Sequence, residues 1–377
     1  MAGGTGGTGM KTQAAVYREP NAPLDIVELE ICNLAPQDVL VRITHSGICH
    51  SDLHVYHGNR DWETPMILGH EGAGVVEHVG DGVTGIKPGD RVVLSLVASC
   101  GRCRSCATGF ANRCRELPAF PIGTYYDGAH RFERDGEVYH SFCTVGSFAT
   151  HAVVHFSKAV AVPDDVGLDV ACLVGCGVPT GVGSAVNTAQ VRRGSTCVIY
   201  GCGGVGLNVI QGCRLMGAAE IVAVDLLADK LALAEQFGAT HTVDASDGDP
   251  VAAVMEMTGG RGADYAFEVI GTGATYMNAW NSIGMGGLAV MVGGPPAGTP
   301  FHIDASEIYF GKALTGSMYG NSSPARDFPW IFDLYRSGEL LLDELITQHR
   351  PLDEVTTALD ELDTGGVVRT VLDIGDE

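Results

Sequence analysis

Short apolar runs alternate with polar turn signals in the first part of the chain, between Lys11 and about Ala161. The clearest runs are rich in β-branched residues and bounded by Gly, Pro or Asp: AAVY, VLVRIT, GAGVVEHVG, DRVVLSLV and THAVVHF. Such runs are typical of strands. The stretch GVTGIKPGDRV is expected to form a strand, a turn at Pro88-Gly89-Asp90 and a second strand. The pattern therefore predicts a mainly antiparallel β domain.

After about Pro179 the pattern changes to strand, helix, strand. The strand CVIY precedes a helical stretch near 204–216, and the strand EIVAVD precedes a helix over 228–237. Further apolar strands are expected at YAFEVI, GLAVMV and ALTGSM, and the chain closes with helical stretches and a strand, VVRTVLDI. Strands that alternate with helices pair in parallel, so this region is predicted to be an α/β, doubly wound parallel sheet.

The two patterns together predict a split arrangement of domains, for which a chain of 377 residues is long enough. We expect a mainly antiparallel β catalytic domain in two parts, residues 1–178 and 321–377. The parallel-sheet domain, residues 179–320, is inserted between them. Residues 1–10 are rich in Gly and Thr and are expected to form a flexible tail.

The composition argues against several classes of protein. The formal net charge of −22 disfavours binding to nucleic acid or to anionic membranes. The chain has no stretch of 18 or more uninterrupted apolar residues, so no membrane span is predicted. The N-terminus has neither the basic nor the apolar region of a secretory signal, and a cytoplasmic protein is expected. Twelve cysteines in such a protein are expected to bind metal or act in catalysis rather than form disulfides.

A glycine-rich turn directly follows the strand CVIY and opens a predicted helix. Its residues fit the pattern G-x-G-x-x-G: Gly201, Cys202, Gly203, Gly204, Val205 and Gly206. Such glycines let backbone N–H groups approach a pyrophosphate at the helix N-terminus. Asp225 ends the next strand, where its carboxylate can accept hydrogen bonds from ribose hydroxyls and would repel a 2′-phosphate. The following residues, Leu226, Leu227 and Ala228, include no Arg, so NAD is expected rather than NADP.

Four cysteines lie within the segment 100–114: Cys100, Cys103, Cys106 and Cys114. This short spacing predicts one tetrahedral zinc held by four thiolates in a small lobe. Four protein ligands leave no open position, so this zinc is expected to be structural. The nearby arginines, Arg102, Arg104, Arg113 and Arg115, would offset its negative charge.

The remaining chemistry-bearing segments are GICHSDLH, which contains Cys49, GHEG, which contains His70, and Cys176 in GCG. Together with the four-cysteine segment and YGCGGVG, they stand in an order that resembles the zinc-containing medium-chain alcohol dehydrogenases. The resemblance extends from Lys11 to Gly375. It implies a GroES-like catalytic domain, a Rossmann cofactor domain, two zinc ions per chain and NAD.

The resemblance also implies roles for individual residues around a catalytic zinc. Its ligands fall on Cys49, His70 and Cys176, which leave a fourth position for alcohol or water. Ser51 and His54 match a relay that carries the alcohol proton to solvent. Two acidic residues match supporting positions: Asp52, which orients the His70 ring, and Glu71, a buried acid behind the metal.

Cofactor and substrate contacts are assigned by the same resemblance. His50 and Arg369 match residues that hold the pyrophosphate. The other cofactor contacts are Thr180 at the nicotinamide, Lys230 at the adenosine ribose, and Val269 and Val292. Arg60 falls in the outer substrate pocket, and the inner pocket is assigned to Leu96, Phe142 and Cys143. Leu96 replaces a bulky aromatic residue, which suggests room for an alcohol larger than ethanol.

The expected function is reversible hydride transfer between NAD and a primary alcohol or aldehyde, with a bulky or aromatic substrate. One alternative is a thiol-adduct-dependent formaldehyde dehydrogenase. Arg60 and Pro118 weaken this alternative, because the glutathione-adduct formaldehyde dehydrogenases have an acidic residue and an arginine at those two places. Another is a non-catalytic NAD-binding protein of the same fold. Whether NAD exchanges freely or stays bound, as in a nicotinoprotein, is left open by the sequence.

A homodimer is also expected. The segment between Cys114 and Val153 is long, which in this family accompanies dimers. The strand near Ala313–Ser317 would otherwise be an exposed sheet edge that invites pairing with a second copy. Pro295-Pro296 and the segment from His302 to Tyr309 are expected to be partly buried in that contact.

Overall fold

The computed structural model describes residues 9–59, 62–118, 125–300 and 302–376. The chain divides into two compact units, Met1–Cys176 with Ser323–Glu377, and Gly177–Ser322. Arg60 lies outside the described residues, as does the predicted tail apart from Gly9 and Met10.

The first segment of the first unit is built mainly from strands. In chain order β1 to β10 are Lys11–Tyr17, Asp25–Ile31, Asp38–Gly47, Met66–Ile67, Glu71–Val79, Arg91–Leu94, Phe132–Arg134, Glu137–Ser141, His151–His155 and Ala159–Ala161. Helices α1 to α3 are His50–Tyr56, Arg104–Ala107 and Leu168–Leu173. Short 3-10 helices occupy Ala111–Arg113, Phe142–Thr144 and Phe156–Lys158.

The second unit alternates strands and helices. Strands β11 to β16 are Thr196–Tyr200, Glu220–Asp225, His241–Asp244, Ala263–Glu268, Ile283–Met291 and Ala313–Gly316. Helices α4 to α9 are Gly177–Gly183, Gly204–Leu215, Ala228–Gln236, Pro250–Met257, Gly273–Ser282 and Ala305–Tyr309. A π-helical segment, Ser184–Ala189, extends α4, and a 3-10 helix occupies Met318–Asn321.

The C-terminal segment returns to the first unit. It contains helices α10, Pro324–Arg336, and α11, Val355–Asp363, and strands β17, Ile346–Pro351, and β18, Arg369–Asp373. Short 3-10 helices precede β17 and α11, at Asp343–Leu345 and Leu352–Glu354. The apolar residues of α11 recur at helical spacing and are buried: Val355, Ala358, Leu359 and Leu362.

The first unit contains two sheets. Strands β1, β2, β7, β8 and β4 close into a small barrel, and a second sheet has the order β10-β6-β5-β3-β18-β17, with β9 also paired to β3. Most pairs are antiparallel; β4–β8 and β17–β18 are parallel. The barrel core is apolar and includes Leu29, Ile31, Phe132, Tyr139 and Val153. The predicted mainly antiparallel β domain, split by an inserted unit, is confirmed.

The second unit contains one parallel sheet with the order β13-β12-β11-β14-β15-β16. Every residue of β11 is buried, as expected for a central strand with helices on both faces. Trp280 on α8 is buried in the core beneath the sheet. The order reverses between β11 and β14, which is the doubly wound topology predicted from the strand–helix alternation.

One local prediction is wrong. The stretch GVTGIK before the Pro88-Gly89 turn forms no strand, and the chain between Val79 and Arg91 is a loop. Gly80 and Gly82 donate to carbonyls of Asp38 and Pro36 respectively, so this backbone is bonded outside any ladder. Gly85 has φ of +80°, which a strand does not accommodate. Among the described residues, no helix combines the length and apolar character needed to cross a membrane.

Candidate active site and metal centres

Four potential metal ligands meet in the interior of the first unit. One ligand atom each of Cys49, His70, Glu71 and Cys176 lies within 4.8 Å of the others, and all four residues are buried. Three separate parts of the fold supply them. Cys49 caps the N-terminus of α1, His70 and Glu71 lie at the start of β5, and Cys176 follows α3. The structure thus brings together the predicted ligands that sequence separates by up to 127 positions, from Cys49 to Cys176.

Two glycines allow these segments to approach. Gly69 has φ of +87°, and a Cβ there would lie 2.4 Å from a ring carbon of Phe148. A Cβ on Gly175 would lie 2.6 Å from the carbonyl oxygen of Leu94 and 3.2 Å from Cα of Glu71. A side chain at either position would therefore push His70 or Cys176 away from the ligand cluster.

The Asp52 carboxylate holds two of the ligands in place. Its Oδ2 accepts from the backbone N–H of Cys49 at 3.1 Å. Its Oδ1 accepts from the backbone N–H of Gly69 and from Nδ1 of His70, each at 3.0 Å. A proton on Nδ1 leaves the lone pair on Nε2, and Nε2 has no hydrogen-bond partner among the described residues. A buried, unpartnered ring nitrogen beside two thiols fits a bound divalent metal.

The electrostatics of the cluster favour a thiolate. Contact with Cys176 lowers the pKa of the Cys49 thiol well below its ordinary value, against the opposing effect of burial. The positive charge of Arg369 adds to the lowering. Thiolate is the form of cysteine that binds metal, so this environment suits the chemistry of the donor set.

Glu71 has a cationic partner. Its carboxylate is hydrogen-bonded to the Arg369 guanidinium, and both side chains are buried. Gly47 makes room for the pair, because a Cβ there would lie 2.3 Å from Oε2 of Glu71. Burial lowers the pKa of Arg369. The structure therefore places Arg369 against Glu71, whereas its predicted contact with a pyrophosphate, shared with His50, stays a prediction.

The predicted relay residues lie on α1. Ser51 Oγ is 3.8 Å from the Cys49 sulfur, and Ser51 is exposed. His54 is half-buried, with Nδ1 3.2 Å from the side-chain amide of Asn59. Residues three apart share one face of a helix, so the two side chains lie on the same face of α1, and their relay role stays a prediction.

The predicted inner-pocket residues flank the ligand cluster. The Phe142 ring packs edge-on against the His70 ring, with centroids 5.3 Å apart. The backbone N–H of Leu96 donates to the carbonyl of Gly175 at 3.4 Å, next to Cys176. Cys143 has φ of +55°, and burial raises its pKa to about 12. Arg60, the predicted outer-pocket residue, cannot be placed because it lies outside the described residues.

The four cysteines of the lobe form a second cluster. Their sulfurs lie within 4.8 Å of one another, and the Cys103–Cys106 and Cys103–Cys114 pairs are 3.5 and 4.0 Å apart. A tetrahedral zinc with Zn–S bonds of about 2.3 Å requires sulfurs about 3.8 Å apart, so the set fits one zinc. Backbone N–H groups donate to the sulfurs, and those from Cys106 and Arg115 lower the pKa of Cys103 to about 6. Burial raises the pKa of Cys106 to about 12, so the fit to a zinc site rests on the spacing of the sulfurs.

The predicted nucleotide-binding residues lie at one edge of the parallel sheet. Gly201, Asp225, Val269 and Val292 are each at or just past the carboxyl end of β11, β12, β14 or β15. Gly201 has φ of +100°. A Cβ on Gly206 would lie 1.8 Å from the carbonyl oxygen of Gly201, so no side chain fits there. Gly203 faces open space, which leaves the N-terminus of α5 accessible to a phosphate.

Asp225 is tied to this turn. Its carboxylate accepts from the backbone N–H of Cys202 at 2.7 Å, and from those of Leu226 and Leu227 at 2.8 and 3.1 Å. Lys230 lies on α6 and Thr180 on α4, both half-buried. These positions agree with a dinucleotide fitted along the strand ends, with the carboxylate free to accept from ribose hydroxyls with its remaining lone pairs.

Two features had no signal in the sequence. Lys158 is completely buried beside the predicted inner pocket. Cys32, His130 and Glu133 form a third group of potential ligands, at the barrel, in which His130 Nε2 is 3.0 Å from Glu133 Oε2.

Comparison with known families identifies both units. Residues 35–164 match the family described as alcohol dehydrogenase GroES-like domain, and residues 204–337 match the family described as zinc-binding dehydrogenase. The chain is 41% identical over 367 residues to an NDMA-dependent alcohol dehydrogenase from Amycolatopsis methanolica. That match covers 96% of this chain and 99% of the relative.

Two solved structures are similar over nearly the whole chain. An alcohol dehydrogenase zinc-binding domain protein from Burkholderia ambifaria has a TM-score of 0.92 at 35% identity. A benzyl alcohol dehydrogenase from Acinetobacter calcoaceticus has a TM-score of 0.91 at 32% identity. Each match covers 97% of this chain and 100% of the other. The resemblance inferred from the motifs is confirmed, and the chain belongs to the zinc-containing medium-chain alcohol dehydrogenase family.

Proposed function

We propose that this protein is an alcohol dehydrogenase that uses a catalytic zinc and NAD to interconvert a primary alcohol and its aldehyde. The observation that carries the proposal is the convergence of Cys49, His70 and Cys176 around the unpartnered Nε2 of His70. Two thiolates and one imidazole hold zinc with one position open to a hydroxyl group. The lobe cysteines are proposed to hold a second, structural zinc.

The residues around this centre have separable tasks. Zinc, when bound, lowers the pKa of an alcohol hydroxyl, and NAD, when bound, accepts a hydride. Asp52 keeps His70 in the tautomer that presents Nε2. The Ser51 hydroxyl would accept the alcohol proton as it gives up its own, and His54 would release a proton to solvent. Because Arg369 holds the Glu71 carboxylate, that acid is kept from closing the open position.

A bulky or aromatic alcohol is the proposed substrate class. Leu96 beside the ligand cluster leaves more room than an aromatic side chain would. One of the similar structures is a benzyl alcohol dehydrogenase, and this likeness also supports an aromatic substrate. The thiol-adduct formaldehyde dehydrogenase and the non-catalytic NAD-binding protein remain the alternatives that activity measurements must separate.

A second candidate concerns how the cofactor is recycled. The relative from Amycolatopsis methanolica is named for its dependence on NDMA. For the present chain we propose, as the alternative to free exchange, that the nicotinamide cofactor stays bound and is reoxidised by a second substrate.

The function is tested by one experiment on extensively desalted, zinc-loaded protein. We expect oxidation of benzyl alcohol and longer primary alcohols with a higher kcat/KM than ethanol, measured with added NAD and separately with NDMA. A bound cofactor would be established by two results: the desalted protein retains absorbance in the reduced nicotinamide band, and it oxidises alcohol with NDMA at a rate that added NAD does not increase. Turnover of formaldehyde only with a low-molecular-weight thiol would favour the formaldehyde dehydrogenase. No turnover of any alcohol would overturn the proposal.

We also propose a homodimer, formed through the edge strand β16. Large apolar side chains are exposed close to it in sequence or in the neighbouring strand: Met285, Ile308, Tyr309 and Phe310. Tyr309 is 85% exposed and Met285 70% exposed. A cluster of apolar side chains beside an unpaired edge favours association with a second copy.

Sedimentation equilibrium tests the dimer. We expect a species of about twice the 39.5 kDa chain mass over a wide concentration range. Tyr309→Asp should shift the protein toward monomer, since it buries a charge in the contact. Met257→Asp makes the same change at another exposed apolar residue and should leave the dimer intact. A stable monomer or a tetramer at all concentrations would rule the dimer out.

A further inference from the structure

Lys158 is a completely buried lysine in the first unit. It ends the 3-10 helix Phe156–Lys158, and its backbone carbonyl accepts from the N–H of Ser95 at 2.8 Å. Its side chain runs inward, and Nζ donates to the carbonyl oxygens of Leu96, at 3.1 Å, and Cys143, at 2.5 Å. Burying a lysine costs free energy, so a lysine in this place calls for an explanation.

The two carbonyls belong to the two segments that flank the candidate metal ligands. Leu96 is bonded through its N–H to Gly175, the residue before Cys176. Cys143 follows Phe142, whose ring packs against the His70 ring. A single amino group therefore fastens together the backbone on either side of the proposed substrate position.

One of these segments needs such support. Cys143 and Thr144 are both in the left-handed region, with φ of +55° and +50°. A non-glycine residue held there is strained and persists only where its surroundings enforce it. The Cys143 carbonyl also accepts from the hydroxyl of Thr144, at 2.7 Å. The turn also contacts Tyr126, through the Thr144 hydroxyl at 3.3 Å, and the His70 ring, through Phe142. Lys158 adds a hydrogen bond to the backbone carbonyl of Cys143 itself, from another part of the fold.

The partners of Lys158 suit an uncharged amine. Burial lowers its pKa to about 7, and among the described residues no carboxylate forms an ion pair with it. The titratable groups that face it are Cys143 and His155. The pKa of His155 is lowered to about 4 by burial and by the charge of Lys158. A neutral amine has two N–H donors, and two carbonyls accept them.

We propose that Lys158 is a positioning residue that holds the Leu96 and Cys143 segments in register and thereby sets the enzyme's preference for large over small alcohols. The effect on substrate preference rests on the proposed function, whereas the hydrogen bonds of Lys158 to the two segments do not depend on it. Loss of the amino group would release the 142–144 turn, and a bulky alcohol, which contacts that wall, would lose more than ethanol does.

The first test compares Lys158→Met with the wild type in the zinc-loaded enzyme. Met keeps most of the volume and removes the donors. We expect the ratio of kcat/KM for benzyl alcohol to that for ethanol to fall about tenfold, since small misplacements of a substrate wall have effects of this size or larger. Lys312→Met is the matched control, because Lys312 also donates to a buried carbonyl, that of Trp280, but in the second unit. It should leave the ratio unchanged.

The second test does not require alcohol oxidation. Cys143 is 2% exposed, so its alkylation by iodoacetamide in native protein reports opening of the turn. Peptide mass spectrometry should show at least about a tenfold faster reaction at Cys143 in Lys158→Met, with Cys197 in the second unit unchanged. In Lys158→Ala, added propylamine should restore protection by re-supplying the donors, and it should have no effect on Lys158→Met, which has no room for it.

The outcomes separate the two proposals. If the wild type oxidises no alcohol, the proposed function fails, while the alkylation result still decides whether Lys158 holds the turn. If folded Lys158→Met, with its zinc content and melting temperature measured, shows unchanged selectivity and unchanged alkylation at Cys143, the proposal is overturned. Faster alkylation with unchanged selectivity would retain the structural contact and reject its role in substrate choice.

Discussion

Replacing Cys49 with Ala is expected to remove one of two zinc ions per chain and to lower kcat/KM for alcohol oxidation by at least about 1,000-fold. A bound metal contributes several kcal/mol of transition-state stabilisation, and each 1.4 kcal/mol is worth about tenfold in rate. The lobe cysteines share no ligand with the Cys49 cluster, so their zinc should remain. Zinc content by atomic emission, together with steady-state kinetics on the same sample, measures both effects.

Cys172→Ala is the matched control for that variant. Cys172 is also a buried cysteine of the first unit, but it belongs to neither cluster, and its thiol donates to the carbonyl of Asp169. It should retain both zinc ions and the activity. Loss of both metals together from folded Cys49→Ala protein would contradict independent sites, and retained activity would contradict the assignment of the catalytic centre.

Combining Asp225→Asn with Leu226→Arg is expected to shift the cofactor preference toward NADP by about 100-fold or more in the ratio of kcat/KM values. The substitution at Asp225 removes a negative charge that would face a 2′-phosphate, and the arginine supplies a charge-assisted partner for it. Asparagine is chosen because its side-chain oxygen can still accept from the N–H groups of Leu226 and Leu227, so that only the bond from Cys202 is lost. An apolar replacement would leave those donors unsatisfied, at a cost of about 1–3 kcal/mol each when buried.

The single variants serve as controls for the cofactor prediction. Asp225→Asn alone should weaken discrimination without creating affinity for NADP, and Leu226→Arg alone should change little while the carboxylate remains. A glycine at position 225 should lower the melting temperature more than asparagine does. An unchanged preference in the folded double variant would count against Asp225 as the determinant.

The features that sequence reasoning recovered are those in which the chemistry is local. The glycine turn and the four lobe cysteines each lie within one short segment, so spacing alone indicates a nucleotide turn and a tetrahedral metal. The parallel sheet follows from strands and helices in alternation. For Cys49, His70 and Cys176 the spacing carries no such information, and their grouping was inferred from resemblance to a family.

The features that sequence reasoning missed depend on contacts between distant segments. The Glu71–Arg369 pair joins residues at opposite ends of the chain, and nothing near either residue marks the other. Lysine is usually exposed to solvent, and only the folded chain shows that the amino group of Lys158 reaches the carbonyls of Leu96 and Cys143. The strand prediction for GVTGIK rests on the Pro-Gly turn that follows it, whereas the N–H of Gly82 bonds to the carbonyl of Pro36 and Gly85 has a positive φ, so the stretch is a loop.

The bonds of the Asp52 carboxylate imply that the two metals would respond differently to zinc starvation. That carboxylate bonds to Cys49, Gly69 and His70, so hydrogen bonds of the protein itself hold two of the three proposed catalytic ligands in place. The lobe has little regular structure beyond one short helix and a 3-10 turn, so its shape is expected to depend on the zinc proposed there. We therefore expect that a chain whose lobe bound zinc during folding would stay folded after it loses the catalytic zinc. In a cell short of zinc, binding of one ion would then restore the activity of that chain.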